Sequence, residues 1–258
     1  MTVLDTFSLS GKIALLTGGA GLYGRQIVRA LAEVGATTYI ASRNVEALEA
    51  VAAELRGEGH DVRALRMDQG DEASILAARD AVRDESGHLD ILVNNAVIRP
   101  LTNSYFSDAD EIDLSMRVNG TGLILVTRAM GEILADGGSI INIGSMMGLV
   151  GLEPANYEGT DMDGWNPDYF FHKGGMANLT RFLASYYGPR GIRVNCLHPG
   201  GYRTDQPEAF VKNYSERTCL GRLANDTDLM GSIVFLASDA SVYITGANIP
   251  VDGGYTAK

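Results

Sequence analysis

Short apolar runs alternate along the chain with segments whose apolar residues have helical spacing. The run 12–17 (KIALLT) predicts a strand, and Ile27, Leu31 and Val34 behind it lie at i, i+4 and i+7, which predicts a helix. Two further helical faces are predicted from the same spacing: Leu48, Ala52 and Leu55, and then Ile75, Ala78 and Val82. The predicted strands are 12–17, 37–41, 61–67, 89–96, 138–145, 191–197 and 246–252. This alternation predicts an α/β protein with a parallel sheet covered by helices on both faces.

The alternation runs through residues 1–258 without a linker or an internal repeat, so we expect a single domain. Two segments interrupt it, 146–168 and about 199–222, and both are rich in glycine, proline and acidic residues. Long loops in a compact domain are often functional, and in an open parallel sheet they lie near the carboxyl ends of the strands, where ligands bind. We therefore expect both segments to be loops beside a ligand site.

The net charge is −11, from 21 basic and 32 acidic residues. This argues against nucleic acid and anionic membranes as partners, because both bind basic faces. The apolar runs are far shorter than the roughly 20 residues of a membrane span, and 1–12 lacks the basic and apolar regions of a signal peptide. Cys196 lies in an apolar run and is expected to be buried, and Cys219 does not suggest a disulfide framework. These features favour a cytoplasmic protein with reduced thiols.

The segment 15–28 (LLTGGAGLYGRQIV) joins the first predicted strand to the first predicted helix, with glycines at 18, 19, 21 and 24. Glycines there let backbone N–H groups approach a pyrophosphate at the helix N-terminus, where the helix dipole favours negative charge. A tight turn without a ligand is the alternative, but the position after the first strand of an α/β chain favours a dinucleotide site.

The end of the second predicted strand bears on the choice of nucleotide. An acidic residue at this point binds the ribose hydroxyl of NAD, whereas an arginine accepts the 2′-phosphate of NADP. Here the chain has Ser42 and Arg43 and no carboxylate. The pattern favours NADP(H), with NAD(H) left open and a solvated surface charge as the alternative for Arg43.

Eight short motifs occur in the order in which the short-chain dehydrogenase/reductase family has them. They are TGGAGLYG (17–24), MDQ (67–69), NNAV (94–97), VNGTG (118–122), INIGS (141–145), YFFHK (169–173), HPGGYRT (198–204) and PVDGGY (250–255). The chain resembles the short form of this family over essentially its whole length. The resemblance implies a Rossmann-type, doubly wound parallel sheet in three α/β/α layers.

The resemblance also implies the site residues. Tyr169 is the implied catalytic acid/base, with Lys173 as the partner that lowers its pKa. Ser145 is implied to polarise the substrate carbonyl or alcohol, and Asn119 to hold a proton-relay water near the lysine. The implied cofactor-binding residues are Gly18, Gly21, Leu22, Tyr23, Ser42, Arg43, Asp68, Gln69, Asn95, Ala96, Val97, Tyr169, Lys173, Pro199, Gly200, Tyr202 and Thr204. Among these, Asp68 is implied to bind the adenine and Thr204 the nicotinamide carboxamide.

Elementary chemistry supports the choice of tyrosine. A phenol has an ordinary pKa of about 10, and an ammonium one helical turn away favours the phenolate. Lys173 follows Tyr169 at this spacing, and it is the only one of four lysines that follows a tyrosine in this way. Tyr157 has Asp161 at the same spacing, and a carboxylate raises a phenol's pKa. We therefore predict that Tyr169, and not Tyr157, acts as the base.

Three features depart from the usual family pattern. Leu22 stands where the short form has a second glycine, so the spacing resembles the longer, epimerase-type members. Val97 stands where glycine is commoner, beside the adenosine ribose. Ser145 and Tyr169 are 24 positions apart, about ten more than is usual, which places an insertion in 146–168.

The insertion carries polar, acidic and aromatic side chains: Glu153, Asn156, Tyr157, Glu158, Asp161, Asp163, Trp165 and Asn166. Such side chains near a substrate suit a hydroxylated molecule such as a sugar, a polyol or a sugar derivative. The alternative is a solvated insertion or a subunit contact. We interpret His172 and His198 as structural residues in preference to functional ones.

The sequence thus predicts an NAD(P)-dependent oxidoreductase that transfers a hydride between nicotinamide and a secondary alcohol or ketone of a polar, hydroxylated molecule. An epimerase or dehydratase that uses its cofactor transiently, and a non-catalytic nucleotide-binding regulator, remain alternatives. The resemblance implies a homo-oligomer, a tetramer in preference to a dimer. No grouping of His, Cys and Asp has metal-ligand spacing, so we expect no catalytic metal.

Overall fold

The computed structural model of the protein describes residues 2–162 and 165–258, so the interpretation of Asp163 lies outside the described residues. The strands are β1 (Ile13–Thr17), β2 (Thr37–Ser42), β3 (Val62–Arg66), β4 (Leu89–Asn94), β5 (Leu134–Ile143), β6 (Arg193–Pro199) and β7 (Asn248–Val251). They form one parallel sheet in the order β3-β2-β1-β4-β5-β6-β7. This confirms the doubly wound sheet, and each predicted strand corresponds to an observed one.

The helices cover both faces of this sheet. They are α1 (Leu22–Glu33), α2 (Val45–Gly57), α3 (Glu72–Ser86), α4 (Ala109–Ser115), α5 (Leu123–Gly131), α6 (Pro167–Tyr187), α7 (Glu208–Arg217) and α8 (Met230–Ala237). A π-helical segment, Met116–Gly122, joins α4 to α5. None of the helices in the described ranges is long and apolar enough to cross a membrane.

Neighbouring residues of β1 explain why the strands read as continuous apolar runs. Successive side chains of a strand point to opposite faces of its sheet. Leu16 packs with α1 and α2 residues such as Ile27 and Leu48, while Leu15 packs with α3 and α5 residues such as Ile75. Since both faces are buried, both sets of positions must be apolar.

The prediction of a loop over 199–222 is wrong in part, because the segment contains α7. Phe210 and Tyr214 lie four positions apart, and both are buried against Met146, Leu223 and Tyr255. The helix has only this one short apolar face, and its many charged and polar residues conceal the period in the sequence. Tertiary burial, not local pattern, stabilises it.

Candidate active site

The carboxyl ends of the central strands open into a cavity of about 760 Å³. Strand β1 has β2 on one side and β4 on the other, so the order of the strands reverses there. A crevice at such a reversal is where doubly wound sheets bind ligands. The cavity brings together Ser145, Tyr169 and Lys173 with the turn that follows β1.

The glycine turn depends on two of its glycines. Gly18 has φ +74°, a conformation that favours glycine, and a Cβ on Gly24 would lie 2.2 Å from the carbonyl oxygen of Gly18. Gly21 caps α1 without a side chain, so no side-chain oxygen occupies the first N–H groups of the helix. The turn therefore fits a pyrophosphate at the N-terminus of α1.

Asn95 holds this turn in place. Its Nδ2 donates hydrogen bonds to the carbonyl oxygens of Thr17 and Gly18, at 3.0 and 3.1 Å. Thr17 Oγ1 in turn accepts from the N–H groups of Asn95 and Ala96, at 3.0 and 2.9 Å. These bonds join the ends of β1 and β4, so the Asn95 side chain shapes the nucleotide site while its backbone lines it.

The ends of β2 and β3 line the opposite side of the cavity. Ser42 and Arg43 follow one another there, and Arg43 is exposed. Asp68 also lines the cavity, and its Oδ1 accepts from the N–H of Gly70 at 2.9 Å. Val97 is 39% exposed beside this region. These residues fit the adenosine moiety of a dinucleotide.

Tyr169 and Lys173 share one face of α6, and the Lys173 Nζ lies 5.7 Å from the centroid of the Tyr169 ring. Nζ also donates to the carbonyl oxygen of Ile143, at 2.6 Å. Ser145 follows Ile143 by two residues and lines the cavity together with Tyr169. Strand β5 thus presents the serine hydroxyl to the phenol that α6 carries.

The electrostatics of the site favour the phenolate. Burial by itself raises the pKa of Tyr169, but the positive charges of Lys173 and Arg99 and the hydrogen bond from Ser145 lower the pKa below the ordinary value. Burial also lowers the pKa of Lys173, against the opposing effect of Tyr169. A phenol in this setting takes up and releases a proton nearer to neutrality than a free tyrosine does.

Arg99, which the sequence analysis did not identify, lies at the centre of the site. Its Cζ is 4.4 Å from the centroid of the Tyr169 ring, and the side chain is exposed and lines the cavity. Arg99 lies in the loop after β4, five residues beyond Asn94 at the end of the strand. This position was the only signal in the sequence that could have indicated a functional residue, because nothing local distinguishes Arg99 from a surface arginine.

Asn119 lies in the π-helical segment and is buried. Its Oδ1 accepts from the N–H of Ile98, and its Nδ2 donates to the Ile98 carbonyl, both at 2.9 Å. Nδ2 also donates to Ser115 Oγ at 3.1 Å. The side chain therefore fixes the backbone of the loop that carries Arg99, and it does not line the cavity.

Both histidines lie behind the reacting groups. The ring of His198 is fully buried between the carbonyl oxygen of Ser145 and the side chain of Asn248, each at 2.8 Å. His172 lies 3.0 Å from Ser115 Oγ, which also donates to the buried carboxylate of Asp168 at 2.5 Å. These contacts agree with the structural interpretation of the two histidines.

The segment 146–168 contributes apolar and aromatic side chains to the cavity, among them Met147, Tyr157 and Met162. The ring of Tyr157 packs against Phe210 on α7 at 5.4 Å between centroids. The acidic side chains Glu153, Glu158 and Asp161 are absent from this wall as the structure describes it, and Glu153 pairs with Arg217 of α7 at 2.7 Å. The acidic residues of 146–168 therefore do not form the cavity surface, and Glu153 instead contacts α7.

Sixteen of the seventeen residues implied to bind the cofactor line the described cavity. Thr204 does not, and its N–H donates to Gln206 Oε1 at 2.8 Å. Gln206 itself lines the cavity, together with Tyr202. No cluster of three or more His, Cys, Asp or Glu side chains within 2–162 and 165–258 has the arrangement of a metal site.

Comparisons with known proteins agree with this geometry. A family model described as enoyl-(acyl carrier protein) reductase matches residues 21–256. The chain is 35% identical to a D-threitol dehydrogenase of Mycolicibacterium smegmatis, over 98% of this chain and 95% of the other. It is 33% identical to a galactitol 2-dehydrogenase of Cereibacter sphaeroides, over 99% of both. A crystal structure of a gluconate 5-dehydrogenase from Burkholderia cenocepacia, in complex with NADP and tartrate, superposes with a TM-score of 0.88 at 32% identity over the whole of both chains.

Proposed function

The chain belongs to the short-chain dehydrogenase/reductase family, and from this premise we propose that Tyr169, Lys173, Ser145 and Asn119 form its catalytic machinery. The protein is an NAD(P)-dependent oxidoreductase that acts on CH–OH groups of hydroxylated molecules. The observation that carries the residue assignment is the phenol of Tyr169, which has Lys173 on its own helix and shares the cavity with Ser145, two residues beyond the end of β5.

The residues act on the proton, while the bound nicotinamide supplies the hydride acceptor or donor. In the oxidation direction, Ser145 and Tyr169 hold the substrate hydroxyl, and the Tyr169 phenolate takes its proton. The hydrogen on the carbon that bears this hydroxyl leaves with its bonding electron pair, as a hydride. Lys173 stabilises that phenolate before the step, and in reduction the neutral phenol returns the proton to the forming alcohol. Asn119 maintains the loop that closes the site, through its bonds to Ile98.

Two matched tyrosine variants test this assignment. Tyr169→Phe removes the acid/base, so we expect a loss of about 10²–10⁴-fold in kcat, far more than any change in NADPH affinity. Tyr157→Phe alters the same cavity at a different ring, and we expect kcat to stay within a few-fold. Turnover with a panel of polyols and cyclic alcohols would measure both. Retention of activity by Tyr169→Phe would exclude the mechanism.

NADP(H) is our proposed cofactor. The exposed Arg43 guanidinium beside Ser42, and the lack of a carboxylate at the end of β2, support a contact with the 2′-phosphate. The glycine turn and the open N-terminus of α1 suit the pyrophosphate of either nucleotide. Titration with NADPH and NADH tests the preference, with Arg43→Ala expected to weaken NADPH by at least about tenfold and NADH very little. Equal losses for the two nucleotides would contradict it.

The loops also enter the proposal. We assign 146–168 and 199–222, with α7 inside the second, as the substrate-facing part of a single catalytic domain that spans 1–258. Their support is the wall formed by Tyr157, Met162 and Phe210. The relatives are named dehydrogenases over nearly the whole of both chains, which favours this function over an epimerase or a non-catalytic regulator.

We further propose a cytoplasmic homo-oligomer, a tetramer in preference to a dimer. Large apolar side chains on α5 and α6 are exposed, with Ile124, Phe171, Phe182 and Tyr186 between 52% and 67%. Such surface on two neighbouring helices suits a subunit contact. Sedimentation of the protein and of a Phe182→Glu variant tests this, and a monomeric wild type would contradict it. Both cysteines are free, which suits a reducing compartment.

A further inference from the structure

We propose that Arg99 binds a carboxylate of the substrate, so that the preferred substrate is a compact hydroxy acid. The proposal rests on the function assigned above, and it specifies which part of the substrate the site recognises besides the reacting alcohol. It is carried by the position of one guanidinium, by the charges around it and by the chemistry of the cavity wall.

The first observation is where the guanidinium lies. Arg99 Cζ is 4.4 Å from the centroid of the Tyr169 ring, and the arginine lines the same cavity. Tyr169 and Ser145, which hold the reacting oxygen in the proposed mechanism, line this cavity as well. A substrate whose alcohol reaches Tyr169 and Ser145 therefore places its neighbouring atoms beside Arg99. The anionic group must be within a few bonds of the reacting carbon.

The second observation is that Arg99 has no carboxylate partner among the described residues. Most arginines of this acidic chain do have one: Arg25, Arg29, Arg56, Arg63, Arg79, Arg83, Arg128, Arg190, Arg203, Arg217 and Arg222 all form ion pairs. Asp68 is the sole acidic side chain in the described cavity wall, and it lies at the end of β3, on the nucleotide side. The catalytic end, with Arg99 and Lys173, is locally cationic.

The third observation is that the arginine is held in advance. Both backbone polar groups of Ile98 bond to the buried Asn119, so the main chain next to Arg99 is fixed. The contact of Arg99 Cζ with the Tyr169 ring, 4.4 Å from its centroid, further restrains the guanidinium. A planar fork of N–H donors matches the two oxygens of a carboxylate. Little ordering is then required when an anion binds.

Other side chains of the cavity limit the rest of the substrate. Met147, Tyr157, Met162 and Phe210 line the same cavity as Arg99, and they offer apolar surface and few hydrogen-bonding groups. A long polyol would leave several hydroxyls against these side chains without partners, which is unfavourable. A short carbon skeleton or a small ring with one anionic end fits both the wall and the arginine.

A matched pair of four-carbon ligands tests the proposal by binding. Threitol and threonate share their skeleton, and a carboxylate replaces one terminal CH₂OH in threonate. Each would be titrated by calorimetry into the protein saturated with NADPH, so that oxidation does not proceed. We expect threonate to bind at least about tenfold more tightly than threitol, as for hydrogen bonds to a charged group. Arg99→Gln should remove this preference, Arg99→Lys should keep part of it, and the surface variant Arg83→Gln should keep all of it.

Three results would overturn the proposal: equal binding of the two ligands, a preference that survives in Arg99→Gln, or tighter Arg99-dependent binding of threitol phosphate than of threonate. The last would assign the site to a phosphate ester. The test is independent of turnover. If threonate is preferred through Arg99 while Tyr169→Phe keeps its activity, the proposed mechanism fails and the anion site stands. If Tyr169→Phe is inactive and the preference is absent, the reverse holds.

Discussion

The Nζ of Lys173 donates a hydrogen bond to the carbonyl oxygen of Ile143 at 2.6 Å. This contact joins the middle of α6 to the end of β5, two residues before Ser145. The lysine is buried, and its charge acts on Tyr169 with little screening by water. The position of one ammonium thus sets both the geometry and the electrostatics of the proposed acid/base.

This arrangement predicts a pH dependence. Oxidation requires the Tyr169 phenolate, so kcat/KM should rise with pH through an apparent pKa below 10, because the net effect of the site lowers the pKa of Tyr169. Lys173→Gln removes the positive charge that lowers the pKa of Tyr169 most, and we expect that limb to move up by about one unit or more. The pH profile of alcohol oxidation measures it. If kcat/KM of Lys173→Gln rose with pH at the same apparent pKa as the wild type, another group would set the profile. Tyr157→Phe serves as the control, and we expect its apparent pKa to be unchanged.

The glycine turn predicts two different outcomes for two alanine substitutions. In Gly24→Ala the new Cβ would lie 2.2 Å from the Gly18 oxygen and 2.9 Å from backbone atoms of Gly19. Because these are backbone atoms, the turn must deform, and we expect a loss of about 3 kcal/mol in the free energy of unfolding. Urea unfolding of the two proteins measures this loss.

Gly21→Ala is the matched control. Its Cβ would lie 3.4 Å from the Gly18 oxygen, an ordinary contact, and its φ of −73° suits alanine. Stability should change by no more than about 1 kcal/mol. NADPH affinity should nevertheless fall, because a methyl group obstructs the close approach of a pyrophosphate to the helix N-terminus. Equal stability losses in both variants would contradict the steric argument.

His198 predicts an effect that is transmitted to Ser145. In His198→Leu the Ser145 carbonyl loses its 2.8 Å partner inside a fully buried site. We expect a stability loss of about 1–3 kcal/mol from the unpaired group and a lower kcat, with NADPH affinity unchanged. His198→Gln retains a donor and should recover part of both losses. Steady-state kinetics beside urea unfolding tests this, and a kcat equal to the wild type in His198→Leu would show that Ser145 does not depend on the ring.

From the environment of His172 we expect the folded protein to lose stability at acid pH. Burial lowers its pKa, against the raising effect of Asp168 and together with the lowering effect of Lys173. The unfolded chain then binds a proton more readily than the folded one, so this contribution is complete above the unfolded pKa of about 6.5 and is lost as the pH falls towards the lower folded value. The free energy of unfolding, measured from pH 7.5 to pH 5, should decline less steeply in His172→Gln. An equal slope would place the titration elsewhere.

The strands were predictable because burial on both faces leaves one solution for residues such as Leu15 and Leu16. The helix α7 was not, since only Phe210 and Tyr214 mark its buried face and their partners are distant in the sequence. Tyr169 and Lys173 were found because a four-residue spacing is a local signal.

Arg99 could not be found in the same way. Its role depends on a phenol 70 positions further along the chain and on the absence of a nearby carboxylate in the described structure, and neither is local. The positions of the acidic side chains of 146–168 could not be predicted for a related reason, because composition does not indicate which side chains face the cavity. Glu153, for example, bonds to Arg217 on α7.

The two hydrogen bonds between Asn119 and Ile98 have a consequence for how the substrate selectivity of this enzyme can change. Because Asn119 bonds to the main chain of Ile98, the neighbouring side chains of Val97 and Arg99 are not needed to maintain the shape of the loop. Replacing Arg99 with a neutral residue would therefore keep the main chain of this loop in place, while it removes one of the two positive charges that lower the pKa of Tyr169. A change of substrate selectivity at this position is thus coupled to a change in the pH at which the proposed acid/base works.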